Sequence, residues 1–339
     1  MKKVIHDSED ITINDEEIKN IFNCTKCEAC QTVCSQGLPL IEMFDWTRSK
    51  INEKYGFRNK KQEYLVKNII ETGNPFAEKS SRLASVPDEI KRAKIFDKKT
   101  NNGKVLVHLG CMLAYRLKDM RNDVLKILEL LDIDYVLLED EECCGYFIWN
   151  TGDHKSAEKV IRKNEKKFKP FSKIICACAG CFTFFKSNYK ENIKFEHFIE
   201  TIYHRFIEIE ERNEIKIQKE AKLQKPVIFH DSCHLTRPHG IIDEPRIIMN
   251  KMGLKLTEFS MSKDKGLCCG ADGGMRIVNP KLSLEITKDR TKEAATKSKK
   301  LYTLCPFCIY NFYEAKQQGL EIGSLYQTIR VFLEKNRLL

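Results

Sequence analysis

At 339 residues with 42% apolar side chains, the chain is long enough for two domains of ordinary core size and a small third unit. No run of about 18 uncharged apolar residues occurs, and the Met1-Lys2-Lys3-Val4-Ile5 start leads into charged residues, so nothing points to membrane insertion or export and a cytoplasmic location is expected. The formal charge of +10 comes from interspersed Lys and Glu, which reads as a solvated surface and argues against a nucleic-acid partner.

The first element in chain order is Asp15 to Ile41, which holds Cys24, Cys27, Cys30 and Cys34 at C-x2-C-x2-C-x3-C spacing. That spacing lets a tight loop wrap thiolates around a cubane four-iron cluster, whereas a zinc knuckle pairs two CxxC units across a longer gap. Ser35 follows Cys34 and no second run of this kind exists, so either Cys34 closes its own cluster or another cysteine does. Glu42 to Lys94 has no cysteine and reads as helix and linker.

From Lys104 onward, short β-rich runs end at cysteines. Lys104 to Gly110 precedes Cys111, Tyr135 to Leu138 precedes Cys143-Cys144-Gly145 by an acidic loop, and Lys173 to Ala177 precedes Cys178-x-x-Cys181. Leu117, Met120, Val124, Ile127, Leu128 and Leu131 fall on one face of a helix between them. The charged stretch Glu208 to Pro226 reads as a solvated connection and carries the main boundary, dividing the chain into 1–94, 95–215 and 216–339.

Beyond that boundary the order repeats. Pro226 to His230 precedes Cys233, then come Cys268-Cys269-Gly270 and, after Lys300 to Leu304, Cys305-x-x-Cys308; the offsets between equivalent cysteines are 122, 125 and 127. Alternating strands and helices predict a parallel α/β layer in each half, with sites beyond the carboxyl ends of the strands. All ten cysteines fall there, so each half is expected to gather five thiols.

Five soft thiolates favour an iron-sulfur assembly with a bridging cysteine over a closed tetrahedral metal site; one structural zinc plus one buried thiol is the alternative. Neighbouring Cys143 and Cys144, like Cys268 and Cys269, can address one site only if the chain turns, which Gly145 and Gly270 permit. Cys176 lies outside the pattern and reads as a small buried hydrophobe. With 15 cysteines clustered for chelation rather than cross-bracing, the chain reads as an oxygen-sensitive protein of a reducing, anaerobic cytosol.

The two Cys…Cys-Cys-Gly…CxxC repeats, His230-Asp-Ser-Cys-His-Leu-Thr-Arg237, Gly240-Ile-Ile-Asp-Glu-Pro-Arg246, Cys268-Cys-Gly-Ala-Asp-Gly-Gly-Met-Arg276, Cys305-Pro-Phe-Cys308 and Gly73-Asn-Pro-Phe76 together resemble the cysteine-rich CCG-domain family. Within that family it resembles the B-type and D-type subunits of heterodisulfide reductase and the related B-type subunit of thiol:fumarate reductase. The resemblance implies two repeated parallel α/β cysteine-rich domains after a small helical ferredoxin-like segment. It also implies that Cys111, Cys143, Cys144, Cys178 and Cys181, and Cys233, Cys268, Cys269, Cys305 and Cys308, each hold a noncubane four-iron cluster with catalytic work to do. One of the two sites could carry zinc or a cubane instead.

The implied activity is that of methanogenesis: reduction of a disulfide such as that of coenzymes M and B, with a flavoprotein or iron-sulfur protein as electron-donating partner. Two intact quintets favour this over an electron-transfer subunit for a flavin dehydrogenase acting on lactate, glycolate, glycerol phosphate or fumarate. A zinc-stabilised scaffold is disfavoured by the cubane spacing. The chain departs from the family pattern in its missing second ferredoxin motif, in Ser35, and in Asp272 where a small residue is expected. Arg237, Arg246 and Arg276 are candidates for binding an anionic disulfide, with salt bridges as the alternative. His230 and His234 flank Cys233 as candidate donors to a cluster or a leaving thiolate.

Overall fold

The computed structural model describes residues 13–97, 103–211 and 226–336. The Met1 start and residues 212–225 of the connection expected between the halves lie outside the described residues.

The β-rich runs form strands where the alternation of branched apolar residues favours them. Strands β1 (Val105–His108), β2 (Lys173–Cys176) and β3 (Phe195–His197) make one parallel sheet in the order β1-β2-β3. Strands β4 (Val227–Phe229), β5 (Leu256–Thr257), β6 (Lys300–Thr303) and β7 (Glu321–Ser324) make a second, ordered β5-β4-β6-β7. The expected strand at Tyr135–Leu138 reduces to two bridges, Leu106 to Val136 and Ile95 to Leu137. Val136 thereby sits beside β1 where β5 sits beside β4, so the halves share one topology. Helices cover the sheets, burying the inner strands β1, β2, β4 and β6, while the edge strands are only partly buried.

The last helix of each half packs on the other half. Phe198–Glu211 lies against Asp243–Lys251, with an ion pair between Lys251 and Glu210. Leu325–Lys335 lies against Lys118–Leu130, with Arg330 Nε 2.6 Å from Asp123. Lys118–Leu130 is the helix the apolar spacing predicts, and Met120, Val124, Ile127 and Leu128 are its buried face. This reciprocal exchange brings the carboxyl ends of both sheets to one shared interface.

The segment before the first sheet is helical, with Asp15–Phe22 and Leu40–Tyr55 flanking the cysteine loop and packing through Ile18, Ile21, Phe22 and Ile51. Arg48 of the second of these helices is fully buried and donates to the carbonyls of Ile21, Cys24, Asn150 and Gly273. One guanidinium thus ties the loop to both halves. Gly273 makes that fit possible: a Cβ there would lie 2.4 Å from the Cys24 carbonyl oxygen. Among the described residues no helix is long and apolar enough to cross a membrane.

Candidate metal centre

Each quintet converges through the turn at its Cys-Cys-Gly step. Gly145 and Gly270 adopt φ of 98° and 84°, a region that side-chain-bearing residues rarely enter, and both neighbouring thiols thereby turn into one site. The carbonyls exposed by that turn are held from behind. Asn164 and Tyr189 donate to Cys143 and Cys144 at 2.9 and 2.8 Å, and Thr287 and Asn311 donate to Cys269 at 2.8 and 3.1 Å.

The thiols form the same ordered string in both halves. In the first the order of contact is Cys111, Cys143, Cys144, Cys181, Cys178: Cys111 and Cys144 donate to Cys143, and Cys181 donates to Cys144 and Cys178. In the second it is Cys233, Cys268, Cys269, Cys308, Cys305: Cys233 donates to Cys268, Cys268 and Cys308 donate to Cys269, and Cys308 also donates to Cys305. Residue for residue, each link in one half has its repeat partner in the other. All ten thiols are buried except that of Cys268, which is half-buried.

Bonds from its neighbours make one thiol in each string the favoured site of negative charge. Cys143, bonded by Cys111 and Cys144, lies well below the usual thiol range. Cys269, bonded by Cys268 and Cys308, falls to about 6. A thiolate is the form that binds metal. The donor set is soft sulfur throughout both strings, which fits iron-sulfur assemblies. Cys176 closes β2 outside the string, fully buried, opposite His108 and His197 in register.

Cys24, Cys27 and Cys30 share one loop, turned by positive φ at Lys26 and Glu28, with the Lys26 N–H on Cys24 Sγ at 3.3 Å. Cys34 is half-buried, its thiol held below the usual range by the N–H groups of Leu38, Gln36 and Gly37. The thiol that meets the motif is Cys268 of the second string, which hydrogen-bonds Cys27 and, with burial, pushes the Cys27 thiol up. Arg237 clamps this junction, donating to the carbonyls of Cys27, Asp264 and Gly266.

The interface between the halves is asymmetric. The repeat offsets pair Tyr146 with Ala271 and Met112 with His234. On one side the Tyr146 hydroxyl meets His234 Nε2 at 3.4 Å, and His234 Nδ1 meets the Asp272 carboxylate at 3.0 Å. Burial pulls this imidazole down, but Asp272 outweighs it and carries His234 up to about 9, so the ring is protonated near neutrality. On the other side, small Ala271 and flexible Met112 leave a cavity of about 330 Å³. Phe147, Phe307, Phe76 and Tyr310 give it apolar walls; Lys61, Arg116 and Arg276 give it cationic groups, Arg116 being paired with Glu78 at 2.8 Å, and Asp272 adds one carboxylate. A larger cavity of about 820 Å³ opens on the closed side, reaching Tyr146, His234 and Lys26.

The sequence-derived arginine candidates are largely engaged in structure. Arg246 is bidentate to Asp231 and also bonds Glu258, and Arg237 holds carbonyls. Arg276 pairs with Asn311 and Glu314 while still lining the smaller cavity. His230 places one ring nitrogen within 4.8 Å of Cys269 and Cys308. The sequence reading missed the contact of Cys27 with Cys268, the Tyr146-His234-Asp272 chain and the cavity beside Ala271. Only the last had a signal, since the repeat offset sets Ala271 against a tyrosine.

Comparison with known proteins agrees with this geometry. The family model described as "Cysteine-rich domain", CCG, matches twice, at residues 105–186 and 227–313, covering all but the last strand of each sheet. The chain is 31% identical over 312 residues to the D-type subunit of dihydromethanophenazine:CoB–CoM heterodisulfide reductase from Methanosarcina acetivorans, spanning 89% of this chain and 74% of that one. It is 26% identical to the B-type subunit of fumarate reductase (CoM/CoB) from Methanothermobacter marburgensis, over 89% of this chain and 59% of the relative. It is also 26% identical to a probable iron-sulfur-binding oxidoreductase of Bacillus subtilis, over 88% of this chain and 43% of the relative. With two cysteine-rich repeats, two thiol strings of one design and these relatives, the chain belongs to the CCG family of iron-sulfur oxidoreductases and is related to the heterodisulfide reductases.

Proposed function

We propose that the chain is the catalytic subunit of a disulfide reductase working in an anaerobic cytoplasm. In this reading the two quintets hold noncubane four-iron clusters, and Cys24, Cys27 and Cys30 hold a cubane relay that takes electrons from a flavoprotein or iron-sulfur partner. The substrate is an anionic disulfide of the type formed by coenzymes M and B, cleaved to two thiols. The observation that carries the reading is the same order of contact among five thiols in each half, beside an apolar cavity with cationic groups.

Cleaving a disulfide consumes two electrons and two protons and gives two thiols. Bound clusters supply electrons one at a time and iron sites for sulfur. The rest falls to the chain's own side chains. Met112 follows Cys111, Phe307 lies between Cys305 and Cys308, and both line the smaller cavity, so a residue next in sequence to each string forms part of its wall. Its volume lies in the range of small-molecule sites. Phe76, Phe147 and Phe307 exclude water, while Lys61, Arg116 and Arg276 favour a negatively charged arm. Cys27 against Cys268 makes the second string the point where electrons arrive.

The test is EPR of the oxidised, cluster-loaded protein with added thiols, beginning with coenzyme M. A new paramagnetic signal, broadened when the thiol carries ³³S, is expected. Silence toward every thiol, with clusters intact, would replace the reading by an electron relay for a flavin-dependent dehydrogenase.

A further inference from the structure

Each half ends its first strand near a histidine that precedes the first cysteine of its string by three residues: His108 before Cys111 and His230 before Cys233. Both are buried, yet their surroundings differ. In the first half Glu141 reaches the strand end. Its carboxylate accepts the N–H groups of Leu109 and Gly110, pairs with Arg82 at 2.9 Å and stands 3.6 Å from His108 Nδ1. In the second half the repeat offset of 125 places Gly266 where Glu141 stands, so no carboxylate approaches from that position.

His230 faces sulfur instead. One of its ring nitrogens, Cys269 Sγ and Cys308 Sγ all lie within 4.8 Å of one another. Phe312 and Phe259 hold the ring edge-on, with centroids 4.9 and 6.0 Å away. Metal–nitrogen and metal–sulfur bonds of about 2.0 and 2.3 Å set donors on one ion roughly 3.5–4 Å apart, so this triangle needs little closing to share a metal. Cys269 and Cys308 are adjacent links of the second string, and the imidazole therefore points at the middle of the nest and not at its rim.

We propose that His230 is a metal ligand of the second nest, binding iron alongside Cys269 and Cys308, and that the first nest has no histidine counterpart. The two sites are then chemically unequal. The second, which meets Cys27, carries a neutral nitrogen ligand in addition to its thiolates, while the first is all sulfur with the Arg82-Glu141 pair behind it. Iron as the metal rests on the function proposed above; ligation by His230 does not.

The experiment compares wild-type protein, His230→Ala and His108→Ala, each reconstituted anaerobically with iron and sulfide and grown with ¹⁴N- or ¹⁵N-histidine. Pulsed EPR of the wild type should show a directly coupled histidine nitrogen, absent from His230→Ala and retained in His108→Ala. A second arm titrates the metal-free proteins with cobalt(II). His230→Ala should bind one cobalt about 10- to 100-fold more weakly, and His230→Cys should restore binding with its d–d bands shifted toward an all-thiolate site. A loaded second cluster with no histidine coupling, or coupling lost only in His108→Ala, overturns the ligand and leaves disulfide reduction standing. A protein that takes no second cluster yet binds cobalt through His230 overturns the cluster reading and leaves the ligand. Cobalt binding indifferent to His230, where no cluster forms, overturns both.

Discussion

Cys269→Ser is expected to strip the second nest of iron while the first stays loaded, lowering the iron content from about twelve to about eight per chain. The residue is the middle link of its string, bonded by both Cys268 and Cys308, and its thiol is the one those bonds drive down to about 6. A serine hydroxyl is harder, stays protonated at neutral pH and is a poor match for iron in a sulfur-rich site. On the proposed function, disulfide reduction should fall by about three orders of magnitude, because the proposed electron path enters through the nest that touches Cys27. Cys176→Ser is the control. That side chain is equally buried but lies outside the string, so iron content should not change, and only a stability loss of about 1–2 kcal/mol is expected from burying an extra hydroxyl. Iron and acid-labile sulfide analysis of the two variants separates a ligand from a packed thiol. Equal iron loss in both would refute the string as a binding unit.

The second large effect concerns access. Ala271→Tyr installs at one side of the interface the residue that its repeat partner, Tyr146, already presents on the other. A tyrosine at 271 would enter the cavity of about 330 Å³ bounded by Met112, Phe147 and Phe307 and fill much of it. Overpacking costs about 1–3 kcal/mol, which leaves a folded protein with its clusters. Turnover of an anionic disulfide should drop about 100-fold or more, with iron content unchanged and reduction of the clusters by an artificial donor unaffected. Undiminished turnover would move the disulfide to the larger cavity beside Lys26, Tyr146 and His234.

The sheets were legible because β1, β2, β4 and β6 are short branched runs ending at cysteines, and because the offsets of 122, 125 and 127 betray the duplication. Strands β3, β5 and β7 escaped. Phe195–His197 and Leu256–Thr257 are three and two residues long, and Glu321–Ser324 contains a glycine, so none shows an alternation; each exists because a buried neighbour strand offers it a ladder. The two strings were legible as residue sets, since motif spacing places cysteines at strand ends.

Their order of contact was not legible. The junction of Cys27 with Cys268 and the ion pair of His234 with Asp272 depend on how separate segments dock. Asp272 was visible as a misfit in the sequence, but its partner was not. The arginines misled for an elementary reason. A guanidinium flexible enough to meet an anionic ligand also finds carbonyls and carboxylates of its own chain, as Arg237 and Arg246 do.

The central claim is that the paired strings each hold a four-iron cluster in addition to one at the N-terminal loop. Iron and sulfide quantification of anaerobically reconstituted protein tests it most directly, and about twelve of each per chain is the expected content. About four irons accompanied by zinc would contradict it, leaving a single cubane beside two closed tetrahedral sites.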